Sequence, residues 1–384
     1  MSPSRNRALP AALAALLTAL SAALLIAPAA SAAPDCPGGR IPPRTLASTG
    51  DTLEYGIFDR RGRFFYSDQS TSFLMRIDRF GDAPKPLAPV PAPGAMVFAS
   101  DGSIIIGTGD GLQNGASGDM NPMSGLLRVN PDTGAVQTYV TGLGMANGVA
   151  LAPDGTIYAT NDVGFDIDRV QGGKVDHPWA RVYSTNGVVV SPDNRYVYVS
   201  QTFAPAAIQR ISVADPSQVT PYAVAQGGDM PAGLDDMTID QRGNLYVAAN
   251  GAGQVWKVDT SGAICVLAAG LVFPSAVNFG VGSNSRNLYV VAFDGRISEL
   301  ANVRPTPAPG APSKTPSSAP PGSSQHPARH PGRTRRRARR HHRRHHRRGH
   351  HHHRRRACRD RDRDCDSRAA GAATRRSSYS RSRP

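Results

Sequence analysis

The stretch Ala232–Asp259, AGLDDMTIDQRGNLYVAANGAGQVWKVD, decides how this chain folds. It holds three short runs of strand-forming alternation, Asp236–Asp240, Leu245–Ala249 and Gln254–Val258. Between them stand Gln-Arg-Gly-Asn and Asn-Gly-Ala-Gly, which carry the backbone freedom that tight turns need. That is a β-meander, and the chain repeats it. Related phrases begin at Glu54 (EYGIFDRRGRFFYSDQ), Gly94 (GAMVFASDGSIIIGTGD), Asn147 (NGVALAPDGTIYATND), Asn186 (NGVVVSPDNRYVYVSQT) and Ser275 (SAVNFGVGSNSRNLYVVAFDG). One central second-strand position in each copy sets the register: Tyr66, Ile106, Tyr158, Tyr198, Tyr246 and Tyr289, spaced by 40 to 52 residues. A unit of three or four short strands cannot bury both its faces alone, so copies at this period stack radially and close. The expected fold is all-β, a six-bladed β-propeller.

The formal charge of +15 over 384 residues averages three different materials. Residues 33–302 carry 18 basic against 25 acidic side chains, whereas residues 303–384 carry 24 basic against 4 acidic. The part that can fold is mildly acidic, and the overall basicity says nothing about its ligand. Residues 1–32 join Arg5 and Arg7 to an apolar run, Ala8 to Ile26, and to Ala30-Ser31-Ala32. This is the pattern of a secretory signal peptide cleaved after Ala32, so the expected location is secreted, extracellular or in the cell envelope. No other stretch approaches the roughly 20 apolar residues of a transmembrane helix, and a monomer without a membrane span is expected. Residues 303–332 read as a Pro/Ala/Ser-rich linker and 333–384 as a disordered Arg/His-rich tail, whose charge suits polyanions such as nucleic acid or anionic envelope polymers. Cys36, Cys265, Cys358 and Cys365 allow three pairings, or free thiols; Cys36 with Cys265 would tie the entry segment to the fifth blade.

Within residues 33–302 the propeller reading assigns further roles. Arg44–Ser48 is expected to be a strand that completes the last blade, since little sequence follows Arg296–Leu300 to supply a fourth one. Gly107–Gly125, rich in Gly, Asn, Asp and Met, is expected to be a loop that either covers a channel opening or is a plain surface insertion. Asp101, Asp154 and Asp193 fall in the turns between first and second strands and read as structural.

Counting back 11 to 14 residues from the central positions reaches Glu54, Gly94, Asn147, Asn186, Asp235 and Ser275. Innermost strands of a propeller line its channel, so equivalent positions converge on the axis. Glu54, Asn147, Asn186 and Asp235 thereby meet as an all-oxygen set that suits a hard divalent cation, Ca²⁺ before Zn²⁺. Residues 33–302 contain only two glutamates, Glu54 and Glu299, and one histidine, His177. Ser-His-Asp catalysis is thus not the default, and carboxylate and metal chemistry remain.

The succession Leu53-Glu54…Asp59, Ala146-Asn147-Gly148, Thr185-Asn186-Gly187 with SPDNRYVYV, and Leu234-Asp235-Asp236-Met237 with IDQRGNLYVA resembles the senescence marker protein/gluconolactonase family, to which regucalcin belongs. The resemblance implies a Ca²⁺- or Zn²⁺-supported lactone hydrolase whose metal is held by Glu54, Asn186 and Asp235. It also implies that Asn147 contacts substrate or completes the metal shell, and that Asp235 is the general base. Three positions depart from the family pattern. Glu54 is followed by Tyr55-Gly56, Asp235 by Asp236, and Met145 stands where members acting on sugar lactones tend to place an arginine. Met145 is therefore the second candidate substrate-facing residue, and recognition of a gluconolactone-like substrate is in question.

The competing reading is a non-catalytic, metal-stabilised secreted propeller that acts as a binding module. Catalysis by paired histidines, as in paraoxonase-like propellers, is disfavoured, because His177 is alone and is expected in a loop between blades.

Overall fold

The computed structural model describes residues 33–203 and 205–304. The expected signal peptide, the tail with Cys358 and Cys365, and nearly all of the linker lie outside them. Six four-stranded antiparallel sheets form the blades of a propeller. Their innermost strands are Leu53–Phe58, Met96–Phe98, Val149–Leu151, Thr185–Val190, Leu234–Ile239 and Pro274–Phe279, in blade order. The sixth blade takes its outermost strand from the start of the fold: Arg44–Ser48 pairs antiparallel with Arg296–Leu300, with Arg44 opposite Glu299 and ion-paired to it. The expected closure of the ring is what the chain does.

The core is a set of wedges between neighbouring blades rather than one central mass. Second strands are packed on both faces, and Phe64–Asp68, Leu245–Ala249 and Leu288–Ala292 are buried along their whole length. Phe58, Phe64, Phe80 and Tyr289 fill the wedge between blades six and one, with ring centroids 4.6 to 6.1 Å apart. Hydroxyls on the first or second strands stitch four of the blades to the next. Ser67 donates to the carbonyl of Gly94 (2.6 Å), Thr160 to that of Asn186, Ser200 to that of Asp235 (2.8 Å), and Ser275 to that of Leu53 (2.6 Å). The bonded carbonyls lie at or beside the residues singled out on the first strands, so the stitching also positions those residues.

At the face where first and second strands join, Asp59, Asp101, Asp154 and Asp193 accept backbone N–H bonds from residues 61, 103, 156 and 195 at 2.9 to 3.1 Å. These carboxylates build turns, as expected for Asp101, Asp154 and Asp193; Asp59 does the same. Cys36 and Cys265 form a disulfide, joining the entry segment to the outermost strand of blade five, Ile264–Ala269. The expectation for His177 is corrected. It lies inside the outermost strand of blade three, Lys174–Arg181, with Nδ1 2.5 Å from Asp168 Oδ1. KVDHPWA reads as a loop because of its proline and charges, yet an outermost strand leaves one edge unpaired and tolerates both.

Candidate functional site

Each first strand begins, and each second strand ends, at the face opposite those turns. Pairing of first with second strands is irregular there: the register shifts between Leu53 and Gly56, Thr185 and Val188, and Leu234 and Met237. These bulges bracket Glu54, Asn186 and Asp235, and a bulge re-aims side chains that a regular pleat would alternate between faces. Asn147 instead precedes its strand, held by its N–H to Thr160 O at 3.2 Å. The glycines after both asparagines answer to crowding at the axis. A Cβ on Gly148 would lie 2.3 Å from Asn186 O, and one on Gly187 would lie 2.6 Å from Asp236 Cα.

Glu54, Asn147, Asn186 and Asp235 share one pocket of about 270 Å³, as does Met145. All four polar residues are 3 to 4 % exposed. The other two repeat positions do not contribute: Gly94 has no side chain, and Ser275 spends its hydroxyl on Leu53 O and Val291 O. Sequence reasoning missed a second ring. Gln69, Asp110, Asp162, Thr202, Asn250 and Phe293 all line the same pocket. Each stands at the end of a second strand, four residues beyond the central position of its blade, or three in blade one. The repeat register therefore held the signal, and counting forward as well as back would have found it.

The hydrogen bonds show which atoms are left over. Asn147 Nδ2 donates to Asp110 Oδ1 (3.0 Å) and reaches Glu54 Oε1 at 3.5 Å, while Asn186 Nδ2 donates to Thr202 Oγ1 (3.1 Å). Both amide nitrogens are thus engaged, and the amide oxygens Asn147 Oδ1 and Asn186 Oδ1 are buried without a hydrogen-bond partner. Asp162 Oδ1 and Asp236 Oδ2 are buried and unpartnered as well. Asp235 is tied more fully: Oδ1 accepts the Asp236 N–H (3.0 Å) and Oδ2 accepts Asn250 Nδ2 (3.1 Å). A buried acceptor without a donor costs roughly 1–3 kcal/mol, a cost that a cation bound beside Asn147, Asn186 and Asp162 would relieve.

Charge points the same way. Among the described residues no lysine, arginine or histidine lines the pocket. Burial, then the charges of Asp110, Asp235, Asp236 and Asp162, hold Glu54 well above the ordinary carboxylate range. Burial and then Asp162 and Asp110 do the same to Asp235. Asp110 is pushed up to about 8 by burial and by Asp162, and Asp162 to about 6 by burial. A bound divalent cation fits this donor set, because it would satisfy the amide oxygens and allow the carboxylates to ionise together. Among the described residues no three His, Cys, Asp or Glu side chains cluster as metal ligands. The set that converges is mixed, two carboxylates with two amides.

The insertion expected to be a loop contains a helix, Leu112–Gly118, and packs over the pocket mouth. Gly111 and Leu112 line the pocket. A Cβ on Gly115 would lie within 3.0 Å of Val163 and of Met145 Sδ, so the helix rests directly on those two side chains. Asn161 Nδ2 holds it through Gly115 O and Asp119 Oδ1, both at 2.9 Å.

The family model described as SMP-30/gluconolactonase/LRE-like region matches residues 165–294. That stretch is thus similar to an SMP-30/gluconolactonase/LRE-like region. It takes in Asn186 and Asp235, while Glu54, Met145 and Asn147 precede it. No curated protein matches the chain in sequence. Among solved structures, a gluconolactonase from Xanthomonas campestris is similar with TM-score 0.54 at 16 % identity, over 72 % of this chain and 99 % of that one. The calcium-binding protein regucalcin from Agrobacterium tumefaciens is similar with TM-score 0.55 at 20 % identity, over 69 % and 96 %. A luciferin-regenerating enzyme is similar with TM-score 0.54 at 15 % identity, over 67 % and 95 %. At these identities the likeness establishes the propeller.

Proposed function

We propose that this protein is a divalent-cation-dependent hydrolase that opens a lactone or related ester in the axial pocket. The observation that carries the reading is the pair of orphaned amide oxygens, Asn147 Oδ1 and Asn186 Oδ1, beside Glu54 and Asp235 in a pocket to which the described residues bring no cationic side chain. Those four residues would hold the cation, Ca²⁺ before Zn²⁺ because every donor is oxygen. When bound, the cation supplies positive charge beside the carbonyl oxygen of the substrate.

The protein's own part is to orient the ester and to hold a proton. Water oxygen bonds to the carbonyl carbon, the ring C–O bond breaks, and the proton that a carboxylate takes from water passes to the departing oxygen. The family resemblance gives the proton to Asp235. Both oxygens of Asp235 are already hydrogen-bonded, however, whereas Asp162 keeps a free Oδ1 in the pocket wall. Asp162 is the second candidate for the base, and the two are separable by mutation. The rest of the reading is that the chain is exported, which the signal-like N-terminus and the Cys36–Cys265 disulfide support.

The test is to strip the full mature chain with chelator and follow turnover on a lactone panel before and after adding Ca²⁺ or Zn²⁺. Turnover that vanishes and returns with the cation is the expected result. Tight cation binding and a raised Tm without turnover on any lactone would sink the hydrolase reading and leave the binding module.

A further inference from the structure

The large apolar side chains that lie exposed among the described residues are not scattered over the propeller. Eleven have more than a third of their surface free, and nine of these sit on connections around the pocket mouth. Leu112, Met120 and Met123 belong to the insertion over the pocket, and Phe165, Tyr183 and Phe203 to the connections of blades three and four. Met230, Val272 and Phe273 lie on the connections before blades five and six, while the other two, Val136 and Val224, lie on outermost strands. Isolated exposed hydrophobics are ordinary, but a contiguous set on one face marks a recognition surface.

We propose that this rim seats an apolar arm of the substrate, so that the preferred substrate is an alkyl- or aryl-substituted lactone or ester rather than a polyhydroxylated sugar lactone. The proposal rests on the hydrolase reading of the same pocket. Two observations commit the rim to substrate. The pocket and the rim are continuous, since Leu112 belongs to both, and Met145, Val163 and Phe293 carry the apolar lining inward. Next, Phe165, Tyr183 and Phe203 form a ladder with ring centroids 5.3 and 6.2 Å apart. Its two ends adjoin the pocket wall, Phe165 two residues beyond Val163 and Phe203 directly after Thr202. A row of aromatic rings gives a flexible chain or an aryl group a rigid apolar surface at low entropic cost.

The experiment measures kcat/KM of the full, cation-loaded chain on lactones that differ only in the length of an alkyl substituent. Values are expected to rise by up to about fourfold per methylene, the gain from burying one CH₂ group. In the double variant Tyr183→Ala/Phe203→Ala the ratio between the longest and shortest substrates should fall at least about tenfold. Both sites are on the surface, and an unchanged Tm checks that the fold is kept. A flat series in the wild type, with short lactones hydrolysed, overturns the rim proposal and leaves the hydrolase standing. If no lactone is turned over, calorimetry with the corresponding alkyl lactams separates the two ideas. Affinity that grows with arm length and collapses in the variant keeps the rim and rejects hydrolysis. Affinity without that dependence overturns the rim. Dimerisation or binding to neutral lipid vesicles that the variant abolishes, with no dependence on arm length, would assign the face to another occupant and overturn it too.

Discussion

The two ends of the central channel are both lined by carboxylates, yet they hold them in opposite electrostatic states. At the turn face a wide cavity of about 820 Å³ is bordered by Asp59, Asp101 and Asp132 together with Arg60, Arg61 and Arg63. Asp59 accepts two backbone N–H bonds and Arg63 Nε. The hydrogen bond from Arg63 holds Asp132 below its ordinary range, and the hydroxyl and N–H of Ser103 do so for Asp101. At the opposite end Glu54, Asp110 and Asp235 are buried and Asp162 is half-buried beside them, and all four lie above the ordinary range. Acidic residues alone therefore do not mark a site. What marks one is acidity whose countercharge the protein has withheld.

That contrast can be broken most severely at Asp235. Asp235→Asn is expected to weaken cation binding and to lower kcat by roughly 10³-fold or more, whereas Asp162→Asn should lower kcat by roughly 10²-fold and leave cation affinity intact. Isothermal titration and steady-state kinetics on both variants decide it, and cation affinity lost equally in both would make Asp162 a ligand. Next in size is the response to pH without cation. The acidic cluster has raised folded pKa values, so the folded state keeps protons that unfolded carboxylates release near pH 4. Its contribution to stability is complete below the unfolded value and is lost as pH rises through about 6 for Asp162 and about 8 for Asp110. The Tm of the stripped chain should fall across this window and recover on adding Ca²⁺; a Tm that stays flat in chelator would show that the cluster is not under this strain.

A smaller effect is expected behind the site. Gly187→Ala places a methyl against Asp236 Cα and Met237 N, and should cost about 1–3 kcal/mol in urea unfolding while displacing Asn186. Full stability would mean that the blades separate there more easily than their spacing suggests. The least effect belongs to the turn face. Asp154→Ala removes an N–H bond to Thr156 at an exposed turn, and should cost about 1 kcal/mol at most with kcat unchanged. A loss of turnover would erase the distinction between the two ends.

Much of this was legible because a repeat turns position in sequence into position in space. The six Tyr or Ile positions gave blade number and register, and the backward count placed Glu54, Asn147, Asn186 and Asp235 in one pocket. Arg44–Ser48 was legible by elimination, as the strand that the last blade lacked. The second ring escaped notice for a physical reason. Its members are Gln, Asp, Asp, Thr, Asn and Phe, and nothing but their common place at strand ends relates them. The helix Leu112–Gly118 was hidden by its composition, LQNGASG, which is poor in helix formers and depends on its packing against Met145 and Val163. His177 was misplaced because the proline and charges around it read as a loop, although an outermost strand accommodates both.

The way the ring is shut has a consequence for how the protein comes into being. Arg44 and Glu299, partners in the closing pair of strands, stand 255 residues apart. During synthesis the first strand therefore has no mate until almost the whole propeller has been made, and five blades can assemble while it waits. Pairing such distant segments is slow, so closure by Arg44–Ser48 is expected to come late in folding, and the acid pocket gains its closed ring only with it.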